Sequence, residues 1–234
     1  MHHGPIDTVR LVLSIALCGA LLTLSACSED AKPLDTSVEY VGGETVFAFT
    51  MDDFINGWNS AAAHGDEGDM RPSAQWRSFD CERSPNSAHA GDYHRYSADE
   101  SIHTMPTVTV FTPTGDGRVQ LITVDFDDHG FSEQLYSLYE DMCFRAVKTV
   151  LPALVDEQIE RLCAELNDLA YENVTETPHE YGARPCAMYR SGGVGLYPYF
   201  AYGDFAHLCI VPVDDDYIAA LTASGTVVIE ITAG

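Results

Sequence analysis

Basic side chains are scarce in this 234-residue chain: 12 Lys and Arg stand against 36 Asp and Glu, for a net charge of −24 at pH 7 with His neutral. A surface so acidic repels phosphate backbones and anionic headgroups, which argues against nucleic acid as a partner and against peripheral lipid binding through charge. Long apolar runs are also missing. The uncharged stretch at residues 11–26 falls short of the roughly 20 residues a helix needs to cross a bilayer core. Motifs for nucleophiles and cofactors are absent as well: there is no G-x-S-x-G, S-x-x-K, H-E-x-x-H or C-x-x-C. Gly192-Gly193-Val194-Gly195 lacks the following Lys-Ser or Lys-Thr of a phosphate cradle and reads as a turn. The chain therefore nominates no catalytic residue, no cofactor and no metal site through a motif.

What is present begins at the N-terminus. The apolar stretch closes on Leu24-Ser25-Ala26-Cys27, a branched apolar residue followed by two small ones and a thiol. Cys18 fails the same pattern, because bulky Leu17 precedes it. Ahead of the stretch, positive charge is thin, with Arg10, His2 and His3 opposed by Asp7. Residues 1–27 resemble the signal peptide and lipobox of a bacterial lipoprotein. The resemblance implies cleavage after residue 26, a diacylglyceryl thioether on Cys27 and attachment to the cell envelope by several acyl chains. One chain alone would bind only marginally, since each buried methylene contributes about 0.8 kcal/mol. Ser28 stands where an Asp would resemble inner-membrane retention in some Gram-negative bacteria, so an outer-membrane destination is implied where the cell has one. Residues 28–43, with Pro33, Gly42, Gly43 and several charges, then read as a tether.

From Glu44 to Gly234 about 190 residues remain, enough for one domain with a real core. Thr50 followed by Asp53 resembles a capping box, with Phe49 placed to staple onto Phe54. The face Met51, Phe54, Ile55, Trp58 and Ala62 then predicts a helix. Residues 64–100 are poor in aliphatics and predict irregular structure with one or two short strands. Thr107–Thr112 and Val119–Phe126 are β-rich, and Thr114-Gly115-Asp116-Gly117 between them supplies hairpin chemistry. Ser132 and Asp156 are placed to cap two amphipathic helices around Pro152, which predicts an αα-hairpin on a sheet. Strands follow around Arg184–Arg190, Ala206–Val213 and Thr226–Thr232, with turns at Ser191-Gly192-Gly193 and Asp214-Asp215-Asp216. The fold class is α+β, with an N-terminal helix, an antiparallel sheet with hairpins and an αα-hairpin packed on it.

Five cysteines remain after Cys18 is cleaved away and Cys27 is lipidated, and an oxidising compartment favours bridging them. Cys143 and Cys163 lie symmetrically about Ala153, so a helical hairpin turning there brings them level and predicts a disulfide. Cys186 and Cys209 fall in successive predicted strands and form a second candidate pair, which leaves Cys81 over.

Four groups of residues suggest chemistry. His89, Asp92, His94 and His103 crowd one loop-like region and offer imidazole and carboxylate ligands suited to Zn²⁺, though in no standard spacing. Cys81 beside His89 or His94 offers a thiol and a base. Asp125-Phe126-Asp127-Asp128-His129-Gly130 starts like a calcium loop and fails at Tyr136, where a bidentate Glu is required. Tyr197, Tyr199, Phe200, Tyr202 and Phe205 supply aromatic area of the kind used at binding surfaces. Together these predict a lipid-anchored envelope protein with a non-enzymatic binding, inhibitory or structural domain. Its charge points to a basic protein or peptide as partner. The alternative is an envelope hydrolase or metal-dependent enzyme built on the His89–His103 cluster.

Overall fold

The computed structural model describes residues 33–61, 77–81, 91–97, 105–113, 115–127, 132–170, 185–201 and 205–231. The signal peptide, Cys27 and the first part of the tether lie outside these residues, as do His89 and His103. Within them the fold is α+β. Strands β1 (Val38–Val41) and β2 (Glu44–Phe47) form a two-stranded antiparallel hairpin. Eight strands make one mixed sheet: β3 (Arg77–Cys81), β4 (Gly91–Ser97), β5 (Thr107–Thr112), β6 (Leu121–Asp127), β7 (Ala187–Ser191), β8 (Val194–Ala201), β9 (Phe205–Pro212) and β10 (Val227–Glu230). Their spatial order is β10-β7-β8-β9-β6-β5-β4-β3. The β10–β7 pair is parallel and every other neighbour is antiparallel. Helices are α1 (Met51–Ser60), α2 (Glu133–Val150), α3 (Asp156–Ala170) and α4 (Asp215–Ala223).

Local chemistry explains the helix starts. Thr50 N–H donates to Asp53 Oδ2 at 2.9 Å while Asp53 N–H donates to Thr50 Oγ1 at 3.3 Å, which closes the capping box. The Phe49 and Phe54 rings stack 6.4 Å apart beside it, as a hydrophobic staple requires. Ser132 Oγ accepts from Leu135 N–H at 3.2 Å and starts α2. At α3 the expectation is off by one residue. Asp156 is the first helical residue, bonded through Oδ1 to Lys148 Nζ at 2.9 Å, and Val155 N–H is taken by Gln158 Oε1 at 3.1 Å.

Strand alternation divides the large sheet into two faces. On β5, β6 and β9 the residues Val108, Val110, Ile122, Val124, Phe126, Leu208 and Ile210 pack into one buried cluster with α1, α2 and α3. The opposite face gathers Tyr93, Phe111, Leu121, Met188, Tyr197 and Cys209, covered in part by Val213 and Leu221 at α4. The helical face also buries one cation, Arg145, at 1% exposure. Its Nε donates to Trp58 O at 2.8 Å and its guanidinium lies 4.9 Å from the Trp58 ring centroid. Since α1 has no basic residue in its last turn, Arg145 supplies from a neighbouring helix the positive charge that suits a helix C-terminus.

Four expectations are corrected. The tether does not extend to residue 43: Val38–Val41 pair with β2, so ordered structure begins earlier. Val119 does not open β6, because its carbonyl accepts from Phe47 N–H at 2.8 Å and ties the β5–β6 connection to β2. No strand is expected between the Ser191-Gly192-Gly193 turn and Ala206, yet the segment Val194–Ala201 forms β8. Pro198 is tolerated there because β7 pairs β8 only at Val194, Gly195 and Leu196, so beyond them one side of β8 needs no donor for β7. Finally, the acidic run at 214–216 is a helix start and not a mere turn, since Asp214 Oδ1 caps Tyr217 N–H at 2.7 Å.

Neither expected cysteine pair is joined in the structure. Helices α2 and α3 do register as an antiparallel pair, with Asn167 Nδ2 donating to Tyr136 OH at 3.3 Å near one end and the Lys148–Asp156 ion pair near the other. Cys143 and Cys163 lie between these contacts, yet they stand as two thiols. Cys143 shares a hydrogen bond with the Tyr139 hydroxyl, and burial pushes its thiol well above the ordinary range. Burial likewise pushes Cys163 up to about 12. For Cys186 and Cys209 the obstacle is distance. β8 lies between β7 and β9, which separates strands two apart by roughly 9–10 Å, beyond the ~7 Å Cα limit of a bridge.

Candidate functional site

Two sites lie on the less covered face of the sheet, the side away from α2 and α3. The first is a groove of about 390 Å³ where the β1–β2 hairpin and the start of α4 border the sheet. Leu121 of β6, Tyr197 of β8 and Val211 of β9 form its floor. Tyr40 of β1 and Tyr217 of α4 stand at the rim, 76% and 40% exposed, although large aromatic rings usually find cover. Glu44 lies in the wall, with Oε2 accepting at 2.9 Å from Gln120 Nε2, which also donates to Thr45 O at 3.3 Å. The lining holds three tyrosines and one carboxylate, and no Lys, Arg or His among the described residues.

Backbone geometry fixes this groove. The β1–β2 turn uses Gly42 and Gly43 at φ +63° and +96°, a region where only glycine is free of strain. Gly193, in the β7–β8 turn, lies so close to the chain entering β1 that a Cβ there would overlap the Thr36 carbonyl oxygen. Across α4, Arg190 of β7 pairs with Asp215 at 2.5 Å and with Glu230 of β10 at 3.6 Å, holding the helix start that carries Tyr217.

The second site lies further along the same two strands. Asp125 of β6 and His207 of β9 are register partners. Both alternate with helix-side residues and so face away from α2. Asp125 Oδ1 is 2.5 Å from His207 Nδ1, and Asp125 Oδ2 accepts from Thr123 Oγ1 at 2.8 Å and from Thr109 Oγ1 at 3.5 Å. Asp125 thus serves as the hydrogen-bonded partner of an imidazole and not as the first ligand of a calcium loop. Asp128, His129 and Gly130 lie outside the described residues. Cys209, two residues along β9, faces the same side and is buried in the second apolar cluster. Asp125 lies four residue steps along β6 from the groove floor at Leu121, about 13 Å.

The structure does not assemble the predicted histidine cluster within the described residues. Asp92 and His94 alternate on β4, and His94 Nε2 lies 3.1 Å from Thr112 Oγ1 on β5, whose hydroxyl also donates to the Asp92 carbonyl at 3.3 Å. Burial lowers the His94 pKa against the raising effect of Asp92 and Asp52. Among the described residues no group of three or more His, Cys, Asp or Glu is placed to hold a metal ion. Cys81 lies on β3 at the sheet edge, opposite Gly91. Of the predicted aromatic patch, only Tyr197 has a described side chain. It is 8% exposed and serves as groove floor, while the exposed rings, Tyr40 and Tyr217, come from elsewhere in the chain.

Among the described residues no helix is long and apolar enough to cross a membrane. Comparisons with protein-family models, with curated proteins and with solved structures each give no match.

Proposed function

We propose that this chain is a lipid-anchored envelope protein, attached through Cys27, whose domain binds a partner molecule in the groove between Tyr40 and Tyr217 and catalyses no reaction. The lipobox-like run supports the attachment. The observation that carries the binding reading is the groove itself: exposed aromatic rings over an apolar floor, with a positioned carboxylate and amide. Concave, mostly apolar sites with a few placed polar groups are the usual form of a ligand site. Tyrosine gives large contact area with a polar tip at low conformational cost.

A photo-crosslinking amino acid placed at Tyr40 or Tyr217 of the full-length protein in its envelope tests this. A single defined adduct from both positions, missing when the same residue replaces Glu157 on the outer side of α3, supports the reading. No adduct at the groove, or equal adducts at Glu157, refutes it. Anchoring is tested separately with Cys27→Ala, which should release the protein from the membrane fraction. Retention there would overturn the lipid attachment.

One observation favours a hydrolase as the second reading, the Asp125–His207 pair. A carboxylate on Nδ1 fixes the orientation of an imidazole and readies its other nitrogen as a general base. His207→Gln abolishing a hydrolytic activity of the purified protein would establish it, and an activity unchanged by that substitution would remove it.

A further inference from the structure

We infer that the open edge of β10 accepts an extended segment of a partner protein as a further strand of the sheet, and that the pocket beside it reads one carboxylate on that segment. This surface is separate from the groove and stands whether or not the groove binds anything. Parallel register sets the first part. Val227 N–H donates to Cys186 O at 2.8 Å and Ile231 N–H to Arg190 O at 2.7 Å, so residues 227, 229 and 231 face β7. The N–H and C=O of Val228 and Glu230 therefore point away from β7, and β10 is the last strand of its sheet. Among the described residues no backbone group pairs with them. Natural edge strands are commonly guarded by Lys, Pro or a bulge. Val227-Val228-Ile229-Glu230 carries none of these, and Val227 is 59% exposed.

Alternation puts Val227, Ile229 and Ile231 on the α3 side of β10 and Val228 on the α4 side. On the α3 side a pocket of about 290 Å³ lies over Tyr189, Ile229 and Ile231, walled by Gln158, Arg161 and Glu165. Two of these polar groups are already engaged. Glu165 Oε2 accepts from the Tyr189 hydroxyl at 2.8 Å, and Gln158 Oε1 accepts from Val155 N–H at 3.1 Å. Arg118, Lys148 and Arg190 have carboxylate partners at 2.7, 2.9 and 2.5 Å, whereas Arg161 has none among the described residues. An uncommitted guanidinium beside an apolar floor suits a carboxylate arriving from outside, held by a charge-assisted and bidentate pair.

Strand addition draws affinity from the main chain and specificity from pockets that take alternate side chains. On an added strand, one residue meets Val227 and the residue two positions away meets the pocket. The occupant is thus a mostly uncharged extended segment with an aliphatic side chain for Val227 and an Asp or Glu two residues from it. A lysine at the second position would meet Arg161 as a like charge. A second copy of this chain fits poorly, because two bodies at −24 repel each other. Its β10 would also present only Val227, Ile229 and Ile231 on this face, with no carboxylate for Arg161.

The test uses full-length protein in a non-ionic detergent and the blocked peptide Thr-Val-Thr-Glu-Thr-Val-Thr, whose pattern is the same in a parallel or an antiparallel addition. Hydrogen exchange resolved to single amides should slow about tenfold or more at Val228 and Glu230 when the peptide binds. Ile229 should not change, because β7 already takes its N–H. In titration calorimetry, replacing the peptide's Glu by Gln, or Arg161→Gln in the protein, should weaken binding about tenfold or more, as loss of a charge-assisted pair does. Tyr40→Ala at the groove should leave it unchanged. Of two peptides N-methylated on alternate residues, one should lose binding and the other keep it, since a strand pairs here through one edge. Equal behaviour of those two, or unslowed amides at Val228 and Glu230, would overturn strand addition. Gln- or Lys-centred peptides that bind as tightly as the Glu peptide would overturn carboxylate recognition. Slowing of the same amides without peptide, as protein concentration rises, would assign the edge to a second copy and overturn the inference.

Discussion

The two faces of the eight-stranded sheet are built by opposite rules. The helical side is continuous apolar packing: Trp58, Phe54, Val108, Ile122, Val124, Leu196 and Ile210 are all fully buried, and its one cation is bonded and stacked. The other side keeps a smaller apolar cluster and adds a tyrosine-rimmed groove, a hydrogen-bonded Asp–His pair and a buried thiol. The tyrosine-rimmed groove lies on the side where α4 and a short hairpin border the sheet, whereas the helical side has a pocket of about 290 Å³ between α3 and the β7 and β10 strands, lined by Gln158, Arg161, Glu165 and Tyr189.

The sharpest way to break this division is to damage the helical side. Trp58→Ala should cost about 3–5 kcal/mol in chemical denaturation, through lost transfer energy and an unfilled cavity. An intermediate effect is expected for Arg145→Met, about 2–3 kcal/mol, since Trp58 O loses a charged donor while the stem volume is kept. If either variant unfolds like the wild type, the helical face is not the stabilising core.

A smaller effect should appear at alkaline pH. Cys163 and Tyr189 both have pKa values raised to about 12, chiefly by burial, with Glu165 adding to the shift at Tyr189. The folded state then holds protons that the unfolded chain releases from about pH 9 for a thiol and 10 for a phenol. By linkage, stability is full below pH 9 and falls as pH rises toward 12. Urea midpoints measured across that range should decline less in Cys163→Ala than in wild type. Burial also implies that Cys143 and Cys163 react with an alkylating reagent only after unfolding, and a native peptide map finding them joined would restore the disulfide.

The smallest effect on stability belongs to the groove. Tyr40→Ala and Tyr217→Ala should each shift unfolding by no more than about 0.5 kcal/mol, as exposed substitutions do. Larger shifts would mean that the rim tyrosines are part of the core and that the contrast between the faces is overstated.

The helical side was legible in the sequence because its determinants are local. Thr50 and Asp53 are three residues apart, Ser132 sits just before its helix, and the 3.6-residue apolar spacing survives through α1, α2 and α3. The other face is assembled from distant segments. Tyr40, Glu44, Gln120, Tyr197 and Tyr217 meet only after five elements have packed, and Asp125 and His207 are joined by register across 82 positions. Some signals were read with the wrong partner. β8 went unpredicted because the short reach of β7 along it, which leaves room for Pro198, is a tertiary fact. The Asp214–Asp216 run suggested a turn because the apolar stripe of α4 is thin, with Leu221 its one buried residue. An alternating polar residue between Val124 and Phe126 was the available hint that Asp125 faces something other than the helices.

The separation of the two faces is tested most directly by measuring unfolding midpoint and the photo-crosslinking yield from position 217 together for one variant on each side, Leu208→Ala in the helix-side cluster and Tyr40→Ala at the groove. Leu208→Ala should lower the midpoint with the crosslink unchanged at temperatures where it is folded, and Tyr40→Ala should lose the crosslink with its midpoint kept. Movement of both quantities together in both variants would contradict a division of labour between the faces.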